Sequence, residues 1–158
     1  MKGLLLFFFK SYIAGPERKD AIRAALEANS FGLGAIIDNL GENVINATEA
    51  EESVKEYLEL LDDIRSAGAD STISLKLTHL GLDLSKELAL RNAETVLKKA
   101  IELGNSVRFD MEGSAYTQKT IDIFLELRKK YPNLGIALQS SLLRSRKDSK
   151  LIASLGAS

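Results

Sequence analysis

The chain has 158 residues, 45% of them hydrophobic and 27% charged, which fits one soluble globular domain able to bury a core. Twenty-one basic residues against 22 acidic ones give a formal charge of −1, so no field of one sign favours nucleic acid or an anionic membrane. With no cysteine there is no disulfide framework, thiol nucleophile or thiolate metal site, and a cytoplasmic setting is the default expectation.

In chain order, the first feature is the apolar run Leu4 to Phe9 behind a single lysine. It is short for the apolar part of a secretory signal, no small-residue cleavage site follows, and Lys10 ends it, so a buried strand over Leu4–Ile13 is expected. No stretch approaches the roughly 20 apolar residues that span a bilayer. Gly15-Pro16 closes that strand and places the proline in the first turn of a helix over Pro16–Asn29. A strand over Gly34–Asp38 follows, then a helix over Thr48–Ser66, with Thr48 and Glu51 spaced as a capping box and Gly68 just past its end. Next come a strand over Thr72–Thr78, a helix over Lys86–Leu103 closed by Gly104, and a strand over Ser106–Asp110. A helix over Gln118–Tyr131 stops at Pro132 and Asn133, before a strand over Leu134–Gln139 and a last helix over Lys147–Ser154.

Strand and helix patterns alternating every 30 residues or so are the signature of βα units. The segments ISLKL and GIALQ are nearly continuous apolar runs, as expected where helices cover both faces of a parallel sheet. Two architectures satisfy this, an open doubly wound sheet and a (β/α)8 barrel, and periodicity does not separate them. A dinucleotide-binding sheet should carry a GxGxxG turn, and none occurs; nor does a P-loop or a GxSxG elbow.

Polar residues gather at the C-terminal ends of the strands: Asp38 and Glu42, Lys76 and Thr78, Arg108, Asp110 and Glu112, and Gln139. In a barrel these positions converge on one mouth, where active sites lie. Lys76, flanked by leucines, needs an anion. That anion could be a ligand, or Asp110 in a pair that only ties two strands together. Asp38 and Glu42 could equally cap a loop or helix, Arg108 could pair with Asp110 on the same strand face, and Gln139 could satisfy backbone groups. His79, the sole histidine, lacks the carboxylates of a metal site and reads as a surface or loop-packing residue. The basic run Arg144, Arg146, Lys147 and Lys150 has no interleaved aromatics and reads as a solvated helix start, not a nucleic-acid surface.

Taken together, IIDNLGENV, ISLKLTHLGLDLS, VRFDMEGSAYT and IALQSSLLRSRKD resemble the successive strand-end motifs of the proline dehydrogenase family. The similarity runs from about Tyr12 to Gly156, so that residues 1–158 read as a single, partial domain of that kind. The resemblance implies an α/β fold of (β/α)8 barrel type that holds FAD at its mouth. It also implies oxidation of L-proline to 1-pyrroline-5-carboxylate, the first step of proline degradation to glutamate, with a hydride leaving the proline C5 toward flavin N5. Electrons then pass to a quinone, which would bring a cytoplasmic protein to the inner face of the membrane. By motif, Lys76 corresponds to the lysine that meets the proline carboxylate, and Asp110 to the active-site aspartate. Met111 and Gln139 correspond to FAD contacts. Glu42 corresponds to a carboxylate paired with a substrate-binding arginine, and Asp38 to its acidic neighbour.

The chain departs from the family pattern in two respects. Ser141 stands where the family places an aromatic, and the 158 residues do not include the RLVKGAY-like sixth strand that the family places directly after the LGA segment. With that strand go the arginine at flavin N5, a Thr-His pair, a tyrosine and the paired arginines that grip proline. The expectation is a barrel cut after about five βα units, working as a fragment or with a complementary chain. Against it stand an inactive remnant that serves only as an assembly module, and a generic barrel or Rossmann domain for another ligand.

Overall fold

The computed structural model of the chain describes residues 13–156, so the expected first strand over Leu4–Ile13 lies, apart from Ile13, outside the described residues. Within them the order is α1 (Arg18–Ser30), β1 (Ala35–Asp38), α2 (Ala47–Ala67), β2 (Ser71–Leu75), α3 (Lys86–Glu102), β3 (Val107–Phe109), α4 (Thr117–Arg128), β4 (Leu134–Ile136) and α5 (Ser145–Ala153). The four strands form one parallel sheet in the order β1-β2-β3-β4. A doubly wound sheet reverses its strand order at a switch point; this one does not, and each helix that joins two strands returns the chain to the next position along. Successive helices pack on one another, α1 on α2, α2 on α3 and α3 on α4. This is the wall of a (β/α)8 barrel, and it decides between the two architectures.

The strands use their two faces differently. Ile37, Ile73, Leu75, Val107, Phe109, Leu134 and Ile136 belong to one buried cluster with helix residues such as Tyr57, Leu61, Val96 and Phe124. The alternate positions, Ile36, Asp38, Thr72, Ser74, Lys76, Arg108 and Asp110, share the other face, because side chains alternate along a strand and registered pairs hold parity across the sheet. The expectation that helices cover both faces is therefore corrected. ISLKL buries Ile73 and Leu75 on the helix side, but Ser74 and Lys76 point the other way, where Ile36 is 51% exposed.

Local signals mostly act as expected. Gly68 and Gly104 take φ of 64° and 68° after α2 and α3, left-handed geometry that an L side chain adopts only at a cost. The cap of α2 is a correction: Asn46, not Thr48, is the N-cap, its Oδ1 accepting from Glu49 N–H at 2.9 Å, while the Glu49 carboxylate accepts from Ile45 N–H at 3.0 Å. The cap falls two residues early because Asn46 is already extended there, at φ −153° and ψ 167°. Pro16 likewise precedes the helix; Glu17 is the N-cap and Arg18 the first helical residue. The strands end sooner than the apolar runs do. Leu77 O accepts from Leu80 and Leu82 N–H, which turns the chain away from the sheet and leaves Lys76 just beyond β2.

Candidate functional site

The site is built at the C-terminal ends of β1, β2 and β3. Asp38, the last residue of β1, is in register with Ser74 of β2, which is in register with Arg108 of β3. Lys76 and Asp110 lie two residues further along their strands, so all five share the face away from the helices. Asp110 N–H donates to Leu75 O at 2.9 Å, carrying the β2–β3 ladder one residue past the strand. Lys76 Nζ donates to Asp38 Oδ2 at 2.8 Å and lies 3.6 Å from Asp110 Oδ2. The side chains of this trio are 21% (Lys76), 29% (Asp38) and 31% (Asp110) exposed, open enough to meet a ligand and sheltered enough for charge to matter. Burial alone would depress the Lys76 ammonium; the Asp38 hydrogen bond and both carboxylate charges outweigh it and raise its pKa above the ordinary lysine value.

This geometry corrects two pairings read from the sequence. The carboxylate closest to Lys76 is Asp38, with Asp110 the looser partner. Arg108, although on the same face as Asp110, forms no ion pair among the described residues, because Asp110 turns back across the sheet to Ser74 and Lys76. Ser74 Oγ donates a short hydrogen bond to Asp110 Oδ1.

Behind the trio, Glu112 is 8% exposed and accepts from Thr78 N–H at 3.2 Å and from the Thr78 hydroxyl. Burial pushes its carboxyl above the usual range, and the Thr78 bonds pull against that shift. The pair ties the segment after β3 to the turn after β2. Tyr57 of α2, fully buried, sets its hydroxyl 3.5 Å from both Asn39 O and His79 Nδ1, with the two rings edge-on at 5.9 Å. The imidazole lies against Gly41, where any Cβ would overlap it, so His79 does pack the loop after β1, as its isolation in the sequence indicates. Burial lowers the His79 pKa below its ordinary value.

The remaining residues singled out earlier lie around this centre. Glu42 is exposed in the loop after β1 and is not part of the trio. Met111 is half-buried against the core next to Asp110. Gln139 is exposed beyond β4; its carbonyl accepts from Leu142 N–H at 3.2 Å and from the Ser145 hydroxyl, and its side-chain amide has no hydrogen bond among the described residues. An uncommitted amide beyond an open, polar sheet face suits the edge of a planar, heteroatom-rich ring and so fits a flavin, whereas the Met111 thioether packs against the core. Arg144 is committed to Asp148, at 2.5 and 3.2 Å, and to Gln118, at 2.7 Å, as a helix start rather than a ligand site. Sequence reasoning passed over Ser74 and Tyr57 as site residues, and it placed Thr78 and Glu112 at the strand ends without pairing them. Counting two back from Lys76 finds Ser74, whereas Tyr57 sits on α2 and carries no such signal.

Comparison with known proteins gives these residues a setting. A family model described as Proline dehydrogenase matches residues 21–157. "Proline dehydrogenase 2" of Bacillus subtilis (strain 168) is 37% identical over 136 residues, covering 86% of this chain and 45% of the relative. "Proline dehydrogenase" of Deinococcus radiodurans is 28% identical over 142 residues, covering 87% of this chain and 46% of the relative. The chain thus spans about half the length of the curated relatives it matches. Among solved structures, a crystal structure of proline utilization A (PutA) from Bdellovibrio bacteriovorus, inactivated by N-propargylglycine, superposes with a TM-score of 0.87. That match covers 98% of this chain and 19% of the other at 22% identity, and it shows the fold.

Proposed function

The chain belongs to the proline dehydrogenase family, and from that membership we propose that the barrel built on these strands oxidises L-proline to 1-pyrroline-5-carboxylate with FAD as cofactor. The observation that carries this reading is the Lys76 ammonium held at the strand ends between Asp38 and Asp110. Lys76 meets the proline carboxylate. Asp38, at 2.8 Å, anchors the lysine, and the looser contact with Asp110, at 3.6 Å, is the one an arriving carboxylate displaces. Asp110 then faces the substrate at the centre of the site, and its ordered carboxylate helps to orient the ring. Gln139 contacts the flavin through its uncommitted amide, and Met111, beside Asp110, is the second contact that the family motif implies. Glu42 and Asp38 form the acidic side of a network that takes a substrate-binding arginine. When bound, FAD supplies the two-electron redox chemistry, and the chain's own residues bind proline, orient it and exclude water. A quinone takes the electrons onward at the membrane; among the described residues no helix is long and apolar enough to cross one.

The test is addition of L-proline to the FAD-loaded protein without oxygen. Bleaching of the oxidised flavin, with an imine product trapped by an aromatic amino-aldehyde, is expected. Stoichiometric FAD that proline leaves oxidised would overturn the proposal. A second reading, in which the trio only binds three strands together within an assembly module, draws on the fact that Lys76 already has two carboxylate partners. That outcome would show as retained fold and absent bleaching.

A further inference from the structure

We propose that Ser74 is a positioning residue of this site: its hydroxyl fixes the Asp110 carboxylate so that Oδ1 is held to β2 and only Oδ2 is turned to Lys76. The inference rests on the proline dehydrogenase reading and concerns a residue to which that reading gives no role.

The backbone sets the arrangement. Ser74 is 4% exposed, with Asp38 and Arg108 as its registered neighbours, and Asp110 N–H donates to the carbonyl of Leu75, the very next residue. These contacts fix where the Asp110 side chain starts but not how its carboxylate turns, since the last torsion of aspartate is broad. Ser74 Oγ supplies the missing constraint by donating to Oδ1. The alternative acceptor for that hydroxyl, Arg108 O, is 3.5 Å away and a poorer one.

The consequence concerns competition for Lys76. With Oδ1 held, Asp110 presents one oxygen to the ammonium at 3.6 Å, and Asp38 keeps the short contact at 2.8 Å. Without the hydroxyl the carboxylate is free to turn both oxygens to Lys76 and close the gap that a substrate carboxylate must enter. Ser74 therefore keeps the lysine available, which is a role in substrate affinity rather than in cofactor binding.

Ser74→Ala in the FAD-loaded protein is expected to raise the proline KM by roughly tenfold with FAD affinity nearly unchanged, in line with loss of one hydrogen bond to a charged group. Ser74→Thr, which keeps the hydroxyl, should recover most of that loss. An unchanged KM overturns the proposal, as does a parallel loss of proline and FAD binding that threonine fails to rescue, because that pattern is packing alone. If the unsubstituted protein does not oxidise proline, it is the functional reading that fails. A double-mutant cycle of Ser74→Ala with Asp110→Ala in denaturant unfolding then decides the contact by itself, coupling supporting it and additivity overturning it.

Discussion

On the helix side of the sheet, Ile73, Leu75 and Phe109 are fully buried among other apolar side chains; one residue along, Ser74, Lys76 and Asp110 form a chain of hydrogen bonds and charges open to a ligand. The same strands thus carry both the stability and the candidate chemistry, on opposite faces. Segregation of this kind lets a barrel mouth vary without disturbing what holds it together. Charge alone is not what marks the second face. Arg18 gathers Glu56, Glu59 and Asp63 at 2.7 to 2.9 Å, also a cation among carboxylates, but on the outer surface of α1 and α2 with side chains 35–49% exposed. Solvent screens that cluster, and it contributes little. The Lys76 trio differs in lying at strand ends, where the strands themselves fix its geometry.

The largest effect that sharpens this comparison is expected on the helix side. Phe109→Ala should remove about 3–5 kcal/mol of stability in denaturant unfolding, the usual cost of emptying a fully buried aromatic position. The loss should fall equally on proline and FAD binding, through the folded fraction. A selective loss of proline binding would break the division of labour between the faces.

A smaller effect is expected at the rim. The folded His79 pKa lies below its ordinary value of 6.5, so between the two the unfolded chain binds the proton first. Stability associated with neutral His79 is then fully present above pH 6.5 and is lost as pH falls from there toward the lowered folded value. Unfolding measured across that window should show stability falling with pH in the native sequence and a flatter curve for His79→Gln. Equal slopes would mean that Tyr57 and Gly41 do not enclose the imidazole as described.

The two faces also differ in how far the sequence discloses them. Helices and strands follow from periodicity because burying an apolar stripe is the dominant constraint, and the breaks at Gly68 and Gly104 follow from the one residue type that takes positive φ without strain. Lys76, Asp110 and Asp38 stand out as charges at the ends of apolar runs. What lies beyond local pattern is pairing. That Asp38 rather than Asp110 takes the short contact depends on register between β1 and β2, and ISLKL reads as a strand buried on both faces until the sheet shows where Ser74 points. Asn46 and Thr48 are both good caps, and only the extended backbone at Asn46 decides between them. Glu42 and Gln139 carry the same strand-end signal as Lys76, yet they are exposed and outside the trio; their roles come from the family resemblance and remain proposals.

The central claim is that Lys76 is there for a substrate anion and not for the sheet, and comparing Lys76→Ala with the native sequence in the FAD-loaded protein tests it most directly. Proline affinity, followed by titration of flavin absorbance, should fall far more than FAD affinity while the unfolding midpoint moves only slightly, because the trio is partly solvated and its carboxylates can turn to water. Equal losses of proline and FAD binding together with a collapse of stability would contradict the account and leave Lys76 as a tie between strands.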